Sequence, residues 1–221
     1  MRNRFSVRDG IYWSLAALAM VSPVAVSAQE EDTQLWVYAV ASAPLGDRGT
    51  LSLDATARWR EHARGDEQQT LRANLLHPIA EGVRIGGGGG LFETEGGDTE
   101  IRPHQEVDLK FGRFSARTRV EQRFFDGAER VEIRLRQLVR YALPISNGIK
   151  MSIDGEYLGL AQTRERTSEG ARDQWRARLI ASADVSGAVT LGVGYLAIHT
   201  PQPGREDQLN HVPQLHLTSR F

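Results

Sequence analysis

The stretch from Phe114 to Leu143 restricts the fold of this chain most, because its chemistry changes with every residue. In its first half Ala116, Thr118, Val120, Gln122 and Phe124 alternate with Arg117, Arg119, Glu121 and Arg123. In its second half Val131, Ile133, Leu135, Val139 and Tyr141 alternate with Arg130, Glu132, Arg134, Arg136 and Arg140. A period of two belongs to extended strands whose successive side chains meet different surroundings. Asp126-Gly127 supplies turn chemistry between the halves. Charge on one face is compatible with a soluble sheet, so the decision rests on the rest of the chain.

That pattern recurs. Eleven strand-like segments run near 34–43, 50–61, 69–79, 83–93, 103–111, 114–125, 130–143, 149–161, 174–186, 189–199 and 209–221. Each is close to the ~10 residues that a tilted membrane strand needs. Their connections alternate. Leu45-Gly46-Asp47-Arg48, Ala80-Glu81-Gly82, Gly112-Arg113, Ser146-Asn147-Gly148 and Ser186-Gly187-Ala188 are tight. Between them lie longer polar loops, His62 to Gln68, Thr94 to Arg102, Asp126 to Glu129, Thr163 to Asp173 and Thr200 to Gln208. Short turns on one side and long loops on the other are the outer-membrane pattern, with the turns periplasmic.

The first 28 residues read as a cleaved signal peptide. Arg2, Arg4 and Arg8 precede an apolar run from Ile11 to Val26, and Val26-Ser27-Ala28 offers a processing site. The apolar run is short for a spanning helix, which needs about 20 residues. Residues 29–221 then form a single domain, an antiparallel transmembrane β-barrel of about 10–12 strands in the outer membrane of a Gram-negative envelope. The count resists closure, since eleven strands do not fit an even-numbered barrel. Ten strands follow if Gln34 to Ala43 is not a full strand, twelve if one is missed, and an N-terminus threaded through the interior also reconciles the count. The absence of Cys suits an oxidising periplasm. A net charge of -1 gives no reason to expect nucleic acid.

The chain ends on Phe221, with Leu215 and Leu217 on the same outward face, although Ser219 departs from the apolar pattern. This resembles the C-terminal signal read by barrel-assembly machinery, which with outer-membrane lipid is the expected partner. Trp36, Tyr38, Trp59, Tyr141, Tyr157, Trp175 and Tyr195 lie within the segments, and several suit aromatic girdles. Gly86 to Gly90 lacks the Lys-Ser/Thr of a phosphate loop, so sharp curvature or room for a bulky interior neighbour explains it better.

Arg102-Pro103-x-Gln105, Arg117-x-Arg119-x-Glu121-Gln122-Arg123 and Arg134-x-Arg136 resemble an uncharacterised bacterial family, domain of unknown function 2490. The likeness extends from Trp36 to the C-terminal segment. It implies an outer-membrane barrel and brings no established activity.

No serine-hydrolase elbow, zinc-protease helix or nucleotide loop occurs in the sequence. His62, His104, His199 and His211 fall near the long-loop ends, but alternation points only His62 and His104 inward, too few for a metal site. His104, Glu106 and Asp108 share an inward face and are a candidate base with carboxylate support, without a nucleophile beside them. Ser115 sits near the turn end. No catalytic residue, cofactor or metal is assigned.

The inward charges instead suggest cross-strand pairing. A two-residue turn at Gly112-Arg113 sets Asp108 opposite Arg117, Glu106 opposite Arg119 and His104 opposite Glu121. A four-residue loop from Asp126 to Glu129 sets Arg123 opposite Glu132 and Glu121 opposite Arg134. With Gly148 left-handed in a three-residue loop, Arg140 faces Asp154 and Glu156 lies diagonal to Arg136. Arg119 opposite Arg136 is the one clash. The first reading is therefore a structural barrel with a largely filled, salt-bridged interior. A narrow channel for small anions is the alternative, and a rim-sited hydrolase the third.

Overall fold

The computed structural model describes residues 30–46, 49–60, 67–166, 174–202 and 205–221. The expected signal peptide, its processing site and His62 lie outside the described residues. Regular structure among the described residues is entirely β. The strands are β1 (Glu30–Leu45), β2 (Gly49–Arg60), β3 (Glu67–Ala80), β4 (Val83–Thr94), β5 (Glu100–Ile101) and β6 (His104–Phe111). They continue with β7 (Phe114–Phe125), β8 (Glu132–Ser146), β9 (Ile149–Gln162), β10 (Gln174–Asp184), β11 (Val189–Thr200) and β12 (Gln208–Arg220).

β5 and β6 are two parts of one barrel strand. Their common register on β4 runs from Phe92↔Glu100 to Gly88↔His104, and on β7 from Glu100↔Phe125 to His104↔Glu121. Pro103 has no N–H to give, which interrupts the ladder without diverting the chain. Arg102 and Gly90 exchange backbone hydrogen bonds of 2.8 and 3.1 Å, and the Pro103 carbonyl accepts from Gln122 N–H at 3.0 Å. The strand thus starts at Glu100, and Glu100 and Arg102 belong to the wall instead of the loop expected from sequence.

The ring has eleven strands. Every hairpin reverses the chain, so in an odd ring the first and last strands point the same way and can close only in parallel. β1 does so against β12, from Glu30↔Gln208 to Ser42↔Arg220. The Phe221 N–H adds a bond of 3.0 Å to the Ser42 carbonyl. The expected antiparallel barrel is therefore corrected at this seam, where β1 is a full strand paired on both edges. Elsewhere all pairings are antiparallel.

The connections are unequal at the two ends. One end carries two to four residues per turn, and the other five to eleven per loop. Gly112 and Gly148 have φ of 57° and 75°, a backbone form that side chains resist and that the two-residue turn at Gly112-Arg113 and the bulged turn at Gly148 require.

Outward side chains form an apolar belt to which every barrel strand contributes. Leu35, Leu53, Leu71, Ile85, Val107, Phe124, Val139, Ile153, Leu179, Val193 and Leu215 are all exposed. Aromatic side chains fall into two bands. Trp59 and the Tyr157–Trp175 pair, with centroids 4.6 Å apart, mark the loop end. Phe111, the Phe114–Tyr141 pair at 4.9 Å and Phe221 mark the turn end. Phe114 to Phe124 on β7 is a rise of ten residue steps. At ~3.3 Å each and a tilt of roughly 40°, they give about 25 Å of height.

The interior has two unlike sides. Behind the parallel seam Trp36, Leu196, Ile198 and Val212 form a buried apolar cluster, with Tyr38 packed against it. Tyr38 also stacks on His216, centroids 4.7 Å apart. Trp36 and Tyr38 are thus removed from the candidate girdle residues, because the parity of β1 turns them inward. A parallel ladder is slightly weaker per residue than an antiparallel one, and this cluster supports the seam from inside. Across from it, β5 to β9 present charge.

Candidate functional site

The charged side follows from strand parity and register. With Phe111 opposite Phe114, the Gly112-Arg113 turn sets Glu106↔Arg119, Asp108↔Arg117 and His104↔Glu121. Arg123↔Glu132, Glu121↔Arg134 and Arg119↔Arg136 follow between β7 and β8, and Arg140↔Asp154 between β8 and β9. Odd positions of β7 and even positions of β6 and β8 face inward together, so both signs of charge meet inside.

Glu121 is the hub, only 1% exposed. Its Oε2 accepts from Arg134 Nε at 2.8 Å and Nη2 at 2.5 Å, and its Oε1 from Arg136 Nη1 at 2.8 Å. Arg119 Nη1 lies 3.8 Å from the same Oε1. The neighbouring arginines Arg119 and Arg136 therefore share a carboxylate. Arg119 also donates to Glu106 at 2.7 Å, and Arg136 reaches Glu156 at 2.7 Å. Glu156 accepts from Arg117 at 2.9 Å as well. Asp154 pairs with Arg140 and Arg178, each at 3.0 Å. Arg123 joins Glu132 to Glu100.

Asp108 stands in register between Arg84 on β4 and Arg117 on β7. It pairs with Arg84 at 2.9 Å, while Arg117 turns to Glu156. Arg117 reaches Glu156 along the same row, past Leu138 on β8, because a long arginine side chain spans more than one strand spacing. His104 meets Asn74 at 3.2 Å, and Glu106 accepts from Asn74 Nδ2 at 2.5 Å. The candidate base thus has an amide partner, and Ser115 sits opposite Lys110 near the turn end. Among the described residues no group of three or more His, Cys, Asp or Glu is arranged to hold a metal. His211 faces outward to the Tyr195 hydroxyl, and His199 pairs with Asp207 at 3.1 Å.

Several members escaped the sequence reading. Glu100 binds both Arg102 and Arg123 through paired contacts of 2.6 to 2.9 Å. Arg102 lies 3.6 Å over the Phe92 ring. Arg72 pairs with Asp54 at 2.7 Å, and Arg58 sits 4.1 Å over Trp36. The alternation Trp175-Arg176-Ala177-Arg178 marks β10 as another arginine-bearing strand. Glu100 and Arg102 were hidden by Pro103, which reads as a loop signal.

Three cavities lie along the interior. About 480 Å³ opens at the loop end, about 220 Å³ in the middle and about 610 Å³ at the turn end. Arg123 and Arg134 line both of the first two, and Arg117 both of the last two. Ion-paired arginines thus stand between successive cavities.

The chain matches a family described as protein of unknown function (DUF2490) over residues 33–210. It belongs to that family. An uncharacterised protein of Methylorubrum extorquens is similar to it, 26% identical over 222 residues, 94% of this chain and 96% of that one. In this DUF2490 chain the matched segment runs from β1 into β12 and takes in the whole charged side.

Proposed function

We propose that this protein is an outer-membrane β-barrel whose interior is occupied by an arginine–carboxylate lattice, serving as a closed structural element of the envelope. The observation that carries the reading is the outward apolar belt, bounded by aromatic bands and drawn from every barrel strand. Soluble monomers rarely expose continuous apolar surface beyond a few hundred Å². The alternation of apolar outside and charged inside suits a strand facing lipid on one side and a polar interior on the other. The lattice members are Glu106, Asp108, Arg117, Arg119, Glu121, Arg123, Glu132, Arg134, Arg136, Arg140, Asp154 and Glu156, joined by Glu100. A closed interior is favoured over an anion path because the arginines between cavities are held by carboxylates from neighbouring strands.

Expressed from its full gene, the protein should fractionate with the outer membrane and begin at Gln29 by N-terminal sequencing. Trypsin should cut residues 163–173 on intact cells, which places the long loops outside. Purified protein in planar bilayers should give no large steady conductance. Recovery in soluble periplasm with Met1 intact would remove the location, and large anion-selective steps would replace the closed barrel with a channel.

Phe221 supports a role in assembly. It is 80% exposed on the outward face at the turn end. Its side chain contributes nothing to the interior, so deletion should lower the yield of assembled barrel in cells while barely changing unfolding of the protein that does assemble. Unchanged yield in a quantitative membrane blot would remove that role.

A further inference from the structure

We infer that the central cavity is a binding site for a compact, doubly charged tetrahedral oxyanion of the phosphate or sulfate class. The argument starts from charge. The cavity of about 220 Å³ is lined by nine arginines, among them Arg58, Arg117, Arg134 and Arg176, but by only two carboxylates, Asp154 and Glu156. Among the described residues, the carboxylates paired with those nine are Asp54, Glu100, Glu121, Glu132, Asp154 and Glu156. Nine cations against six anions leave three positive charges, and Glu121 and Asp154 are further shared with Arg119 and Arg140.

Orphaned donors mark where that excess is felt. Arg58 Nε and Arg117 Nε are buried without a hydrogen-bond partner. Arg58 donates through Nη1 to Gln68 at 2.7 Å and meets no carboxylate among the described residues. Its guanidinium instead lies over Trp36, and Arg176 approaches the same ring at 5.9 Å. Arg176 is only 3.8 Å from Glu156, a carboxylate already shared by Arg117 and Arg136. Removing cations from water without matching anions is costly, and unsatisfied donors add to the cost.

Guanidinium forks match oxyanions through paired N–H donors, which selects phosphate, sulfate or carboxylate over halide. The cavity size favours a small ion with a few waters, at ~30 Å³ per water. The excess of three favours a divalent ion over a monocarboxylate. The continuous hydrogen-bonded wall around the cavity argues for a free oxyanion, because a phosphate headgroup tied to acyl chains would have to enter past the loop-end arginines. The inference rests on the charged interior and is independent of the compartment.

The test uses the mature barrel in zwitterionic detergent, titrated calorimetrically with sodium phosphate and with sodium sulfate at constant ionic strength in chloride. Saturable binding near one ion per chain is expected, with a rise in the unfolding midpoint as the ion saturates. Arg58→Gln should weaken binding about tenfold, the effect of losing one charge-assisted contact. Without oxyanion the same variant should be at least as stable as the parent, because it removes an uncompensated cation. A purely structural Arg58 would make Arg58→Gln less stable by the same amount at every phosphate concentration, which overturns the proposal. Arg176→Gln gives a second reading if Arg58→Gln does not fold. Absence of saturable binding below about 10 mM for both ions, with the barrel folded, also overturns it. Neither result bears on whether the barrel fractionates with the outer membrane.

Discussion

Glu121→Arg should leave little or no folded barrel, the largest effect expected of any single charge change in this protein. Glu121 is 1% exposed and receives Arg134 and Arg136 directly, with Arg119 at 3.8 Å. Losing one partner of a buried pair costs about 3–5 kcal/mol, because the remaining charge stays buried and uncompensated. Here Arg134 would lose its carboxylate, Arg136 and Arg119 would keep only Glu156 and Glu106, and all three would gain a fourth cation among them. A whole domain is stable by only about 5–15 kcal/mol, so this change alone approaches the limit.

Adding Arg134→Glu should recover part of the loss, since the two side chains lie directly opposite and can exchange roles. Recovery stays partial for a geometric reason: the new arginine at 121 would still face Arg136 and Arg119. The measurement is urea unfolding of the purified barrel, with the migration of unheated and boiled samples as a check on folding. A double mutant no better than the single would mean that Glu121 and Arg134 are not energetic partners. Full recovery would mean that Arg136 and Arg119 draw little from Glu121.

Gly88→Val should prevent the barrel from closing, whereas Gly89→Val should be tolerated. The two residues are adjacent and equally glycine, so the contrast isolates position. A Cβ at Gly88 would lie 2.0 Å from the Ala73 carbonyl oxygen and 2.9 Å from Asn74 Cα, both backbone atoms that cannot rotate away. At Gly89 a Cβ meets nothing within 4 Å. Gly88 also lies between Asn74 and His104 in register. Those two side chains touch across it at 3.2 Å, although they stand on strands about two spacings, or ~9.6 Å, apart. The bare backbone of β4 makes that bridge possible, and the Asn74–Glu106 bond of 2.5 Å crosses the same tract. Valine at 88 would therefore strain the β3–β4 ladder and cut the bridge. Yield of folded barrel for the two variants, with heat-dependent gel migration, distinguishes them. Equal yields would show that the glycine tract is not held by β3.

Much of this architecture is legible in the sequence, for a simple reason. Strand parity is a local property: once Val120 faces outward, Arg119 and Glu121 face inward, whatever lies beyond. Short turns carry register across the next strand, so Gly112-Arg113 alone brings Glu106 to Arg119. A family resemblance drawn from the arginine motifs led to the family that the chain belongs to. The alternation also marked eleven wall segments, since each outward apolar run is interrupted by turn residues, but it left the strand number between ten and twelve.

What sequence leaves open is whatever depends on strands far apart along the chain. The parallel seam joins residues 30–42 to 208–220, and no local signal says how the ends of a ring meet. An odd count read as an error becomes a closed ring only when the partner of β1 is known. Trp36 reads as a girdle aromatic until β11 and β12 bring Leu196, Ile198 and Val212 against it. Asp108 has an arginine in register on each side, Arg117 on β7 and Arg84 on β4, and only the folded wall shows that it bonds to Arg84. The arginine excess around the central cavity belongs to the same class. Arg58 on β2 and Arg176 on β10 are more than a hundred residues apart, and only the curvature of the closed wall turns their charges on one volume.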